Sequence, residues 1–337
     1  FVLPADNDGY YLEITNFNNG STAPVLYDLT FGSRYVGDIS TPGKVKFVLP
    51  ASTSEGSFVL VNAESSNSTD ITSLATRNFT RFSDIASQGN YLIITHPTLN
   101  IGTAGRKPID EYQAYRSSPN GGSYNTKVVD INELVDQFAF GIKKHPLSVR
   151  NFIRYARDNF SQPLKDIFII GRGMTYNEYR LNQTDTLTEK LNLVPTFGNP
   201  ASDNLLSALD VTSPVPVTPI GRLSAITGKE VEDYLEKIKE YDLAQQTAPN
   251  TLAGREWMKN VVHVTGASDP YLGVVLCNYM GVYKQMIEDT LFGAKVSTFC
   301  KTSANPIEQL TTERISELFS EGISILTYFG HSSSTTL

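Results

Sequence analysis

Hydrophobic and polar residues alternate in short runs along roughly the first eighty positions of the chain. Turn-forming segments such as Asn18-Asn19-Gly20 and Thr41-Pro42-Gly43 separate these runs. A period of two is typical of strands that bury one face. The pattern therefore predicts an antiparallel, β-sandwich-like domain over residues 1–85. Its clearest strands are Tyr10-Tyr11-Leu12-Glu13-Ile14, Val45-Lys46-Phe47-Val48-Leu49 and Ser57-Phe58-Val59-Leu60-Val61.

Near residue 90 the alternation gives way to continuous apolar runs separated by helical periodicity. Strands that are apolar on both faces and alternate with helices predict a parallel sheet covered on both sides. Thr227 and Glu230 form a capping-box pattern at the start of a further helix. A first α/β subdomain is thus predicted over residues 90–244. Its strands are Tyr91–Thr95, Thr126–Asp130 and Asp166–Ile170, and its helix near 147–160 aligns Val149, Phe152, Ile153, Ala156 and Phe160.

A second α/β subdomain is predicted over residues 255–337, with the order strand, helix, strand, helix, strand. Its first helix is expected from about Gly273 to Leu291. The second, from Thr312 to Ser320, is expected to turn Ile315, Leu318 and Phe319 inward and to stop at Gly322. In a right-handed βαβαβ unit the third strand often lies beside the first. The loop after the first strand would then adjoin the end of the third.

The third strand ends in Tyr328-Phe329-Gly330-His331, which delivers a histidine to the carboxyl edge of the sheet. Ligands of α/β sheets bind at this edge. His331 is therefore a candidate general base, and Asp269, in the adjoining Gly266-Ala267-Ser268-Asp269 loop, a candidate to hold its other nitrogen. The alternative that His331 only caps a strand remains open.

Composition excludes several classes of protein. The formal net charge of −7 and the absence of long basic runs argue against nucleic-acid binding. No apolar stretch approaches the roughly 20 residues of a membrane span, and Phe1-Val2-Leu3-Pro4 lacks the features of a signal peptide. Two cysteines are too few for a disulfide framework or a zinc ribbon. Cys277 is expected to be a buried thiol within a helix, and Cys300 to end a strand without a chemical role.

Several segments taken together match a known family. The chain resembles the gingipain-type, caspase-like cysteine peptidases of family C25, a family that includes the sortase of the bacterial type IX secretion system. The matching segments are Asp166-Ile167-Phe168-Ile169-Ile170-Gly171, Val194-Pro195-Thr196-Phe197, Ser202-Asp203-Asn204, Pro219-Ile220-Gly221-Arg222-Leu223, Lys237-Ile238-Lys239-Glu240-Tyr241 and Tyr328-Phe329-Gly330-His331.

The resemblance implies an N-terminal β-domain followed by two caspase-like subdomains, the second incomplete here. It implies that His331 is the catalytic histidine and that the backbone amide of Ser332 is an oxyanion donor. Ser332 stands where the family usually has glycine, and Asp269 is only a substitute for the acid found in some members. The nucleophilic cysteine is expected beyond residue 337, so this chain alone is expected to be inactive. No cofactor is required, although Asp6-Asn7-Asp8-Gly9 leaves a structural calcium ion open beside its interpretation as a turn.

The β-domain, through Tyr10–Asn16 and Tyr27–Thr30, looks most like the sortase branch. That likeness implies cleavage of C-terminal signals from exported proteins at the bacterial cell surface or outer membrane, by hydrolysis or transpeptidation, with secretion-system partners. A rival hypothesis is a non-catalytic binding or assembly protein on a degenerate caspase-like scaffold. A third is a serine hydrolase that uses Ser332, Ser333 or Ser334, for which adjacency to His331 is weak support.

Overall fold

The computed structural model describes residues 1–73, 76–267, 269–301 and 309–330, without the side chains of 309–312. The chain divides into two compact units, Phe1–Asn78 and Phe79–Leu337. In the described part, no helix is both long and apolar enough to cross a bilayer.

The N-terminal unit is built from antiparallel strands, as the alternating pattern predicts. One sheet contains four strands, in the order Val2–Leu3, Gly56–Val61, Val25–Asp28 and Ser33–Val36. Two further strands, Tyr10–Thr15 and Lys44–Leu49, pair in a separate ribbon. Burial alternates along strands such as β2, and the core consists of Leu26, Val45, Phe47, Leu49 and Phe58. The predicted antiparallel β-domain is confirmed. The strands are β1 (Val2–Leu3), β2 (Tyr10–Thr15), β3 (Val25–Asp28), β4 (Ser33–Val36), β5 (Lys44–Leu49) and β6 (Gly56–Val61).

The second unit begins with a parallel sheet whose strands are β7 (Tyr91–Thr95), β8 (Thr126–Asp130), β9 (Asp166–Ile170) and β10 (Ile220–Leu223). The strand order is β10-β9-β7-β8. Its helices are α1 (Pro108–Ser117), α2 (Ile131–Phe138), α3 (Leu147–Asn159), α4 (Tyr176–Leu181), α5 (Thr186–Leu191), α6 (Asn204–Ser207) and α7 (Gly228–Thr247).

Both faces of this sheet are covered, because alternate residues of β7 enter two different cores. Leu92 and Ile94 pack with residues of α2 and α3. Tyr91 and Ile93 pack on the opposite face with residues of α1 and α7. The first α/β sheet is therefore parallel and doubly covered, as the continuous apolar runs predict.

A second parallel sheet follows, in which the strand Asn260–Gly266 lies between the strands Lys295–Cys300 and Ile325–Gly330. The predicted placement of the third strand beside the first is confirmed. Its elements are α8 (Leu252–Arg255), β11 (Asn260–Gly266), α9 (Pro270–Glu288), β12 (Lys295–Cys300), α10 (Gln309–Glu321) and β13 (Ile325–Gly330).

Two local expectations for this part are wrong. Helix α9 starts at Pro270 rather than near Gly273, because Asp269 caps it and proline suits the first helical turn. In α10, Leu318 is buried but Phe319 is 52% exposed. Because successive helix residues are rotated by about 100° around the helix axis, Leu318 and Phe319 point in different directions, and Leu318 is the one that faces inward. The predicted stop at Gly322 is confirmed by its φ of 92°.

Candidate active site

The strands of the second sheet end side by side at its carboxyl edge. The central strand β11 pairs Thr265 with Cys300 of β12 and Gly266 with Gly330 of β13. Parallel α/β sheets bind ligands just outside such strand ends. This edge is the candidate active site.

Two glycines bring β11 and β13 together at this edge. A Cβ atom on Gly330 would lie 2.0 Å from the carbonyl oxygen of Gly266, which no native packing allows. Glycine at position 330 is therefore required by the close approach of the two backbones. His331 and Ser332, the predicted base and oxyanion donor, follow Gly330 in the sequence and lie outside the described residues.

Asp269, the predicted partner of the histidine, is the N-cap residue of α9 at the same edge. Its Oδ1 accepts a hydrogen bond from the backbone N–H of Leu272 at 2.7 Å, and its side chain is exposed. Capping by one carboxylate oxygen is a sufficient structural reason for an aspartate here. The neighbouring Ser268 lies outside the described residues, and the role of Asp269 toward His331 stays a prediction.

The expectation that Cys277 is a free buried thiol is wrong. Cys277 of α9 and Cys300 at the end of β12 form a disulfide, with Cα atoms 5.7 Å apart. Helix α9 packs on β12, and this contact brings together two cysteines that are 23 positions apart in the sequence. While the bond is intact, neither sulfur can serve as a thiolate nucleophile.

The other three histidines are half-buried or buried. His263, inside β11, is 2% exposed, and burial lowers its pKa, with the charge of Lys284 adding to the effect. His96 caps a short turn, with its Nδ1 2.8 Å from the Thr98 hydroxyl, and burial lowers its pKa as well. Burial also lowers the pKa of His145. Among the described residues, no group of three or more His, Cys, Asp or Glu side chains could hold a metal ion.

At the first sheet, Arg222 of β10 joins segments that are far apart in sequence. Its guanidinium forms a bidentate pair with Asp203, with both N···O distances 2.7 Å. Nη1 also donates to the carbonyl oxygens of Gly171, at 2.6 Å, and Val194, at 2.8 Å, and Nη2 donates to that of Pro195 at 3.3 Å. The planar fork of arginine is suited to several such acceptors at once.

These contacts join several of the segments that carry the sequence resemblance. The partners of Arg222 belong to Asp166–Gly171, Val194–Phe197 and Ser202–Asn204, and Arg222 itself lies in Pro219–Leu223. Four of the six matching segments thus meet at one guanidinium group. We call this arrangement the Arg222 junction, and its role is structural.

Sequence reasoning missed both the disulfide and the Arg222 junction. The even number of cysteines, with one at a strand end and one in the preceding helix, was an available signal for the disulfide. The junction had a weaker signal, namely an arginine inside an otherwise apolar strand. Buried arginines are seldom left without a carboxylate partner.

Comparison with known proteins places these observations in context. The sequence model of peptidase family C25 matches residues 84–337. The crystal structure of the Arg-specific cysteine proteinase gingipain R is similar at 15% sequence identity and a TM-score of 0.40. The similarity covers 73% of this chain and 48% of that chain, so the chain spans about half the length of that structure. No curated protein matches the chain.

Proposed function

The chain belongs to peptidase family C25, and we propose that it forms the histidine-bearing part of a cysteine peptidase. The observation that carries this proposal is the family match over residues 84–337, which includes β13 and the histidine that follows it. The pairing of Gly330 with Gly266 supports it, because β13 ends at the carboxyl edge of the sheet.

In the proposed mechanism, His331 is a general base and then a general acid. It takes the proton from a thiol, and the thiolate adds to the substrate carbonyl. The backbone N–H of Ser332 donates a hydrogen bond to the resulting oxyanion. The imidazolium returns the proton to the departing amine, and water then releases the acyl group. No cofactor is required.

Asp269 is proposed to orient His331 through its second carboxylate oxygen. Oδ1 is occupied by the N–H of Leu272, whereas no described protein group donates to Oδ2. A carboxylate that accepts from one imidazole nitrogen fixes the tautomer in which the other nitrogen is a base.

The nucleophile is proposed to come from outside residues 1–337. The sequence has two cysteines, Cys277 and Cys300, and both sulfur atoms are bonded to each other. Because the disulfide occupies both sulfur atoms, the proposed nucleophile is a cysteine of another segment. A chain of residues 1–337 is expected to show no peptidase activity.

We further propose that the protein acts outside the cytoplasm, at the bacterial surface or outer membrane. The disulfide between Cys277 and Cys300 supports this location, because such bonds persist in oxidising compartments. The proposed substrates are exported proteins with C-terminal signals, processed in a sortase-like manner together with secretion-system partners. Mass spectrometry of the products separates the two outcomes, since hydrolysis gives a free carboxylate and transfer gives a new amide.

The test compares variants of the full-length protein in cleavage of a peptide library. His331→Ala is expected to lower kcat/KM by about 100-fold or more, the usual contribution of a general base. His96→Asn is the matched control, because asparagine can still accept the capping N–H of Thr98, and it should retain activity. Equal activity of His331→Ala and the unmodified protein would contradict the proposal.

A non-catalytic scaffold is the second candidate function. Two observations favour it: both cysteines are in the disulfide, and Ser332 stands where the resemblance implies glycine. A scaffold would leave peptides uncleaved, whatever the residue at position 331. It would also retain its binding to secretion-system partners in the His331→Ala variant.

A further inference from the structure

The N-terminal unit contains a cavity of about 290 Å³ that is separate from the candidate active site. Four aromatic side chains contribute to its wall, those of Tyr10, Phe31, Tyr35 and Phe58. Asp28 is the charged residue among the described residues that line it. Phe58 also belongs to the core of the unit, and Tyr10 and Tyr35 pack against that core, whereas Phe31 lies outside it.

Asp28 lies at the end of β3, between Ser33 of β4 and Phe58 of β6. Its side chain is 5% exposed. Oδ1 accepts hydrogen bonds from the backbone N–H groups of Thr30, at 2.9 Å, and Phe31, at 3.0 Å. In the part of the chain that the structure describes, no group donates to Oδ2 and no cationic side chain pairs with the carboxylate.

A buried carboxylate is normally paired with a cation, because removing its charge from water is unfavourable. Aromatic rings add to the attraction, since the negative face of each ring favours a positive charge within about 6 Å. The cavity therefore has the chemistry of a cation site with apolar walls. A small inorganic cation would leave those walls without a partner.

We propose that this cavity binds the basic side chain of a lysine or arginine from an extended polypeptide. The alkyl stem would lie along the aromatic walls, and the charged head would reach Oδ2 of Asp28. The surroundings of the cavity fit a basic side chain within a polypeptide better than they fit a free amine. Strand β4, which contributes Ser33 and Tyr35 to the cavity wall, is the edge strand of its sheet, and edge strands can pair with an incoming strand.

The mouth of the cavity is accessible to such a chain. Phe31 is 56% exposed, and the rim residues Ala51, Thr53 and Ser54 are exposed. The site would give the N-terminal unit a binding role of its own. It does not depend on the proposed peptidase activity.

The test is a titration of the full-length protein with three small probes, followed by ligand-observed NMR and calorimetry. The probes are the N-acetyl, N-methylamide derivatives of lysine, arginine and the neutral norleucine. Binding of lysine or arginine is expected to be at least about tenfold tighter than binding of norleucine, as for one charge-assisted hydrogen bond.

Asp28→Asn removes the charge and keeps an oxygen that can accept from Thr30 and Phe31. It is expected to weaken binding of the basic probes by about tenfold or more. Asp38→Asn is the matched control, because Asp38 makes a similar turn contact with Ser40 outside the cavity, and it should bind like the unmodified protein.

Phe31→Ala provides an independent check, since an exposed side chain can be removed without unfolding the unit. It is expected to weaken binding severalfold. The proposal is overturned if norleucine binds as tightly as the basic probes, if Asp28→Asn binds unchanged, or if the folded protein binds none of the probes.

Discussion

The two parallel sheets of the C-terminal unit share one plan but are held together by different means. Strand β7, at the centre of the first sheet, is buried at all five positions. Strand β13 of the second sheet has Ile325, Leu326 and Phe329 from 40% to 51% exposed. The Arg222 junction ties the first sheet to its loops, whereas a disulfide ties α9 to β12 in the second. Five of the six segments that carry the sequence resemblance lie between Asp166 and Tyr241, whereas the sixth, Tyr328–His331, contains the proposed catalytic histidine at the edge of the second sheet.

Most of the segments that carry the sequence resemblance therefore contain none of the proposed reacting groups. Three of the partners of Arg222 are backbone carbonyls, which carry no side-chain information of their own. The backbone can reach the guanidinium only where neighbouring residues leave room for it. Gly173 is an example, because a Cβ there would lie 2.5 Å from the carbonyl oxygen of Val194.

The largest expected effect concerns the first sheet. Arg222→Ala leaves Asp203 and several carbonyl oxygens without their donor, and it should lower the free energy of unfolding by about 3–5 kcal/mol. Urea denaturation checks this value. Arg172→Ala, a change at an exposed arginine nearby, is the control and should be neutral. Equal urea midpoints for Arg222→Ala and the unmodified protein would contradict the structural role of the Arg222 junction.

The second prediction separates the two sheets. Replacing both Cys277 and Cys300 with serine should destabilise the protein by about 3 kcal/mol, since the disulfide closes a loop of modest length. Hydrogen exchange should accelerate in α9 and β12 and stay unchanged in β7. A reducing agent should reproduce the effect in the unmodified protein and do nothing to the double variant. Faster exchange in β7 would contradict the independence of the two sheets.

The third prediction tests the edge of the second sheet. Gly330→Ala should cost about 1–3 kcal/mol, because the added methyl group overlaps the carbonyl oxygen of Gly266. Exchange of the β13 amides should report the local displacement. If the variant is as stable as the unmodified protein, the two strands do not approach as closely as described.

The smallest effect has the opposite sign. Gly281 lies within α9, and a Cβ there meets no atom within 4 Å. Gly281→Ala should therefore stabilise the protein by about 0.5–1 kcal/mol through helix propensity alone. Thermal denaturation of Gly281→Ala and Gly330→Ala compares two effects of glycine. At position 281 glycine lowers helix propensity, and at position 330 it leaves room for the neighbouring backbone. Destabilisation by Gly281→Ala would mean that α9 is covered at this point.

Local patterns were sufficient to predict much of the fold. The strands β7, β8 and β9 follow from continuous apolar runs, and the start of α7 follows from the capping box of Thr227 and Glu230. The order of the second sheet follows from the handedness of βαβ units. Such features depend on neighbouring residues or on general chirality, so one sequence is enough to reveal them.

The candidate site was predictable only in part. The approach of Gly330 to Gly266 followed from the expected strand order, and it is observed. The pairing of Cys277 with Cys300 and the contacts of Arg222 were not predicted, because they depend on how distant segments pack. The catalytic roles of His331, Ser332 and Asp269 stay predictions.

Labelling the full-length protein with a peptide electrophile that reacts with activated thiols tests the proposed dyad most directly. The labelled residue is identified by mass spectrometry in the unmodified protein and in His331→Ala. The expected result is a label on a cysteine outside residues 1–337, with the labelling rate strongly reduced in the variant. A label on Cys277 or Cys300, or an unchanged rate in His331→Ala, would contradict the proposed active site.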